Sequence, residues 1–176
     1  GVMDYSLSGA DLIANSGGKG KIVLYPQLKK YKTLDELLGA DGVVFLLYEF
    51  KKGYGHWGLL FRQGDTVEWF DSYSYKPDGE FSFIPVDFRK INDMMYPMLT
   101  KLLYESGQPI HYNNYKMQSA SNNITTCGRW VLVRWRFRGL DIDDFYKMFK
   151  HIREGSGLSF DEIVYAMTAG IGQDKL

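Results

Sequence analysis

Residues 42–71 read GVVFLLYEFKKGYGHWGLLFRQGDTVEWFD, and the fold turns on how they pair. Three runs, 42–50, 56–62 and 66–71, are rich in Val, Leu, Phe, Tyr and Trp, with glycine and charged residues between them. That pattern predicts three adjacent antiparallel strands. With Gly64-Asp65 as the tight turn, Gly58 pairs with Asp71 and His56 lies diagonal to Asp71 on the same face. With Gln63-Gly64 as the turn, His56 and Asp71 stand directly opposite. Either register keeps an imidazole and a carboxylate on one side of the sheet, whereas a three-residue loop would separate them.

Outward from this hairpin the pattern becomes helical. Residues 127–137, CGRWVLVRWRF, are apolar around most of the helical circumference, which predicts a buried helix. Residues 93–105 carry Met94, Met95, Met98, Leu99, Leu102 and Leu103 at helical spacing before Gly107 and Pro109, predicting a core-facing helix whose methionines pack and bind no cofactor. Upstream, Ser8 caps a short helix, residues 15–20 form a plain loop without phosphate-loop spacing, and residues 21–25 are strand-like. Thr33-Leu34-Asp35-Glu36 is a capping box for a helix ended by Gly39. Residues 73–88 and 112–126 read as irregular, and amphipathic segments at 141–150 and 159–168 close the chain. The sum is an α+β fold, an antiparallel sheet packed on a buried central helix, in one domain over residues 1–176. Gly1 and Val2 precede Met3, which reads as the natural start.

Composition narrows the function. The 176 residues are 45% hydrophobic, enough for one good core. Lys plus Arg and Asp plus Glu both number 21, so no global field recruits nucleic acid or an acidic membrane. The longest apolar run, residues 43–48, is far short of the roughly 20 needed to span a bilayer, and no signal peptide opens the chain, so a soluble intracellular protein is expected. Arg129, Arg134, Arg136 and Arg138 form the densest basic cluster; with Asp141, Asp143 and Asp144 following, internal ion pairs are expected in preference to a nucleic-acid surface.

Cys127 is the chain's only cysteine, which removes intrachain disulfides and any CxxC zinc site and leaves core filler, surface thiol or nucleophile. Thr125 and Thr126 are good N-cap residues, so Cys127 falls in the first turn of the buried helix. Backbone N–H groups and the macrodipole there favour a thiolate and can also donate to an oxyanion. Gly128 leaves room for a substrate backbone. Of the histidines His56, His111 and His151, only His56 has a carboxylate placed by hairpin parity; His111 has none nearby in sequence, and His151 sits at a helix end, where a cation is favourable for structural reasons alone.

His56-Trp57, Asp71-Ser72, Gln118 and Cys127-Gly128 reproduce in order the signatures of the adenain-like cysteine proteases, which include the adenovirus maturation protease and the proteases of ubiquitin-like modifiers. Residues 22–25, 34–39, 55–57, 70–73 and 126–130 look most like proteases of virophages and related polinton-like or large DNA viruses. The resemblance spans residues 22–138 and implies a papain-like, adenain-like core. It also implies that Cys127 attacks a peptide carbonyl, His56 shuttles the proton, Asp71 orients His56 and Gln118 donates to the oxyanion. Gln118 stands further ahead of Cys127 than is usual in the family, so Asn122 or Asn123 could supply the amide in its place. Trp57 would narrow the cleft for small residues such as glycine, or serve the core.

The resemblance further implies a maturation endopeptidase acting on capsid or other virion precursors, in the virion and in the viral factory of the host cytoplasm. No metal or cofactor is expected, and no second cysteine exists to tether the peptide cofactor of the adenovirus enzyme. A deconjugating isopeptidase for ubiquitin-like modifiers and an acetyltransferase using the same residues are the alternatives.

Overall fold

The computed structural model describes residues 6–52, 54–119 and 125–172. Its centre is a five-stranded sheet in the order β1 (Lys21–Leu24), β2 (Val43–Lys51), β3 (Tyr54–Gln63), β4 (Thr66–Phe70) and β5 (Ile110–Tyr112). The three middle strands are antiparallel, as their sequence pattern predicts. The edge strands run parallel to their neighbours, so the sheet is mixed where a purely antiparallel one was expected. The physical reason is in the connections. The stretch between β1 and β2 contains the helix α2 (Leu34–Leu38), and residues 71–109 leave β4 and return as β5 after the helices α3 (Val86–Ile91) and α4 (Met98–Glu105). Such long excursions return the chain in the same direction.

Strand alternation feeds two cores. One face presents Phe45, Leu59, Phe61 and Phe70 to α5 (Cys127–Arg136), α6 (Ile142–Ser156) and α7 (Phe160–Met167), with α1 (Gly9–Asn15) alongside. The other presents Leu46, Tyr48, Leu60 and Trp69 to Tyr25, Leu37, Leu99 and Leu103. Gly58 sits where the Trp69 ring crosses β3; a Cβ there would lie 2.1 Å from the ring. Helix α5 is buried from Gly128 to Trp135, including both Arg129 and Arg134.

Local differences from the sequence expectation have local causes. The helix expected over 93–105 begins only at Met98, because Pro97 bars helical geometry at Tyr96 and lacks an N–H, while Asp93 takes φ 59°. Helix α6 runs on to Ser156 and stops at Gly157 in the left-handed conformation, so His151 lies inside the helix and not at its end. Residues expected as loop from 112 onward follow β5, which already pairs at Tyr112 with Trp69.

Arg129 and Arg134 of the arginine cluster turn inward, whereas Arg136 is exposed. Arg134 forms a buried two-pronged pair with Glu68 (2.8 and 2.9 Å) and also donates to the carbonyls of Phe137 and Leu140. Its partner is thus a β4 residue, not the Asp141–Asp144 run. Arg129 donates to the Thr168 and Ile171 carbonyls, and Arg138 lies 4.0 Å over the Trp135 ring.

Candidate active site

The β3–β4 turn is Gly64-Asp65, with Gln63 opposite Thr66 and Leu59 opposite Phe70. Extending that register puts Asp71 opposite Gly58 and diagonal to His56, and the two side chains meet at 2.9 Å through His56 Nε2 and Asp71 Oδ2. Both are buried, at 4% and 0% exposure. Tyr73 stacks on the imidazole at 5.0 Å and Phe83 meets it edge-on at 6.1 Å, so the ring has little room to turn. With Nε2 committed to Asp71, Nδ1 is the nitrogen left for Cys127, whose side chain lies near enough to favour charge on the ring.

Electrostatics favour an ion pair. Burial opposes charge on His56, but the Asp71 carboxylate and the Cys127 side chain outweigh it and hold the imidazole well above the ordinary histidine range. Burial likewise works against ionised Asp71. The charge and hydrogen bond of His56 and the Tyr73 N–H, which donates to Oδ1 at 2.7 Å, nevertheless keep its carboxyl below the usual aspartate value. Tyr73 itself is pushed up to about 12 by burial first and then by the charges of Cys127, Asp161 and Asp71.

Cys127 is half-buried at the start of α5. Thr126 occupies the N-cap position as expected, yet its hydroxyl makes no cap; it donates to Asp161 at 2.6 Å. The Thr126 side chain therefore does not take up an N–H of the first turn.

Ser72 places Gln118. Its carbonyl accepts from the backbone N–H groups of Met117 (2.9 Å) and Gln118 (3.0 Å), and its hydroxyl donates to Gln118 Oε1 at 2.6 Å. Committing the amide oxygen to Ser72 leaves the NH2 as the end that can donate elsewhere. Asp71-Ser72 thus has a divided task, the first residue orienting the imidazole and the second the glutamine. The alternatives Asn122 and Asn123 lie outside the described residues.

Trp57 is nearly buried, and its indole N–H donates to the Leu7 carbonyl at 3.2 Å. Gly128 faces the same pair: a Cβ there would lie 3.1 Å from Leu7 Cβ and 3.3 Å from the Trp57 ring. The missing side chain is taken up by internal packing of α5 against β3. His111, on β5, is exposed.

Three contributors escaped sequence reasoning. Asn113 is buried and donates to the Asp71 carbonyl at 2.7 Å, which fixes the backbone behind the carboxylate. Asp161 accepts from Ser119 N (2.8 Å), Thr126 Oγ1 (2.6 Å) and Trp130 Nε1 (3.0 Å), so one carboxylate ties the Gln118 strap to the Cys127 helix. In sequence it is hidden inside the capping box that Ser159 and Glu162 form. Glu80, fully buried, belongs to a stretch with no periodic signal. Among the described residues no group of three or more His, Cys, Asp and Glu side chains is placed to hold a metal, and no helix is long and apolar enough to cross a membrane.

Fold and site together define a mixed α/β protein in which a helix-start cysteine meets a buried histidine–aspartate pair at one end of a sheet. The chain is 40% identical over 164 residues to a protein of the Sputnik virophage called Uncharacterized protein V9, spanning 93% of this chain and 94% of that one. It belongs to the family of that virophage protein. No family model matches the chain.

Proposed function

We propose that the chain is a cysteine endopeptidase with an adenain-like, papain-related core, acting in virion maturation. The observation that carries this reading is the relay Cys127, His56, Asp71, in which the imidazole is clamped by a buried carboxylate on one side and meets the thiol on the other. Such an arrangement lets the imidazole take the thiol proton as the sulfur attacks.

In the proposed reaction the Cys127 sulfur adds to the scissile carbonyl carbon, and the Gln118 NH2 and the Cys127 N–H donate to the oxyanion that develops. His56 passes its proton to the departing amine as the C–N bond breaks, leaving a thioester on Cys127. It then takes a proton from the water that adds to the thioester and returns it to the leaving sulfur. Asp71 stays ionised throughout and stabilises the imidazolium. The substrates are virion precursor proteins cut after small residues. The place of action is the virion and the host viral factory, in keeping with a virophage relative.

Incubation with the capsid precursor and with a glycine-containing peptide library tests this. Wild type is expected to cleave and Cys127→Ala to lose all measurable turnover; cleavage by the variant at the wild-type rate would remove Cys127 from the mechanism. Labelling by a ubiquitin-like vinyl-sulfone probe without precursor cleavage would assign the same chemistry to a deconjugating isopeptidase.

A further inference from the structure

Glu80 is 0% exposed, and neither carboxyl oxygen has a hydrogen-bond donor among the described residues. A buried carboxylate without donors is costly enough that the group holds its proton instead. The polar group against it is the Asp71 carboxylate. Asp71 is an acceptor committed at one oxygen to His56 and at the other to the Tyr73 N–H, each oxygen keeping a free lone pair. Two acceptors facing one another cohere only when a proton lies between them.

The turn that carries Glu80 is rigidly placed. Asp78, at φ 66°, starts the 3-10 turn Gly79–Phe83 and accepts from the Tyr25 hydroxyl (2.7 Å), the Tyr48 hydroxyl (3.0 Å) and the Thr100 N–H and hydroxyl (2.8 and 2.7 Å). Phe83 at its end touches the His56 ring. The titratable groups facing Glu80 are Asp71 beyond β4, His56 on β3 and Tyr48 on β2.

We propose that Glu80 is a positioning residue of the site: as a neutral acid it donates a hydrogen bond to Asp71, fixing the carboxylate that orients His56 and extending the relay to a fourth, non-reacting member. In agreement, burial and then the Asp71 charge hold the Glu80 carboxyl well above the usual glutamate range. The functional part rests on the protease reading above; the shared proton does not.

Glu80→Gln replaces the acid by an amide that still donates, and Glu80→Leu removes the donor. On the intact chain, infrared spectroscopy at neutral pH is expected to find a protonated-carboxyl stretch in wild type that Glu80→Gln lacks. Turnover should stay within about twofold in Glu80→Gln and fall about tenfold or more in Glu80→Leu, mainly in kcat. Stability gives a readout free of activity. Because the folded value is raised, the contribution of Glu80 is full below the ordinary glutamate range and is lost as pH rises through the folded value. Wild type should therefore lose stability relative to Glu80→Gln as pH rises. Absence of the stretch, equal pH dependence, a Glu80→Gln as impaired as Glu80→Leu, or a fully active Glu80→Leu would each overturn the proposal. No turnover in any form, with the stretch and the stability difference intact, would refute the protease reading and leave the shared proton standing.

Discussion

At the scale of single residues the site is a set of commitments that leave one atom free each time. His56 spends Nε2 on Asp71 and keeps Nδ1 for Cys127. Gln118 spends Oε1 on Ser72 and keeps its NH2. In the proposed reaction, removing that NH2 acts on the transition state more than on binding. Gln118→Ala is expected to lower kcat by about 10²- to 10³-fold with little change in KM, the usual cost of one oxyanion donor. A steady-state comparison on one peptide substrate checks this, and an unchanged kcat would return the oxyanion role to another amide. The His56–Asp71 contact was legible in the sequence, since hairpin parity places the two side chains on one face. Glu80 was not, because a buried acid in irregular chain carries no periodicity to reveal its surroundings.

Elements bring these atoms together. Hairpin parity alone keeps His56 and Asp71 on one face, and the Gly64-Asp65 turn selects the diagonal register. The distance between Gln118 and Cys127, by contrast, is set through α7. Asp161 Oδ2 holds Ser119 next to the glutamine, while Oδ1 holds Thr126 and Trp130 at the head of the cysteine helix. The unusual sequence separation of Gln118 and Cys127 thus matters less than this cross-tie. Asp161→Asn, with the amide nitrogen turned to the Ser119 N–H, keeps the α5 bonds and loses the strap. It should fold and yet lose roughly 10- to 100-fold in kcat, the scale of a small misplacement at a reacting centre. Asp161→Ala should in addition cost on the order of 3 kcal/mol of stability, from buried donors left without an acceptor. Chemical denaturation alongside kinetics separates the two effects.

Over the whole molecule, the helix that begins at Cys127 is held to the sheet by apolar packing and the buried Arg134–Glu68 pair. Phe61 and Phe145 flank the Arg134 guanidinium at 5.3 and 5.0 Å, and Glu68 takes its two prongs. Arg134→Ala should destabilise the fold by about 3–5 kcal/mol, because Glu68 is left buried without its partner. A double variant with Glu68→Leu should recover part of that loss in the same thermal melt. The three central strands, the buried α5 and the His56–Asp71 pair followed from sequence alone, because strand alternation, helical periodicity and turn length are properties of neighbouring residues. The parallel edge strands, the burial of Arg129 and Arg134, the occupation of the space over Gly128 by Leu7 and Trp57, the cross-tie at Asp161 and the burial of Glu80 were decided only by tertiary structure. Each depends on groups brought together across tens of residues, and burial and hydrogen-bond satisfaction become defined only once the chain has closed around them.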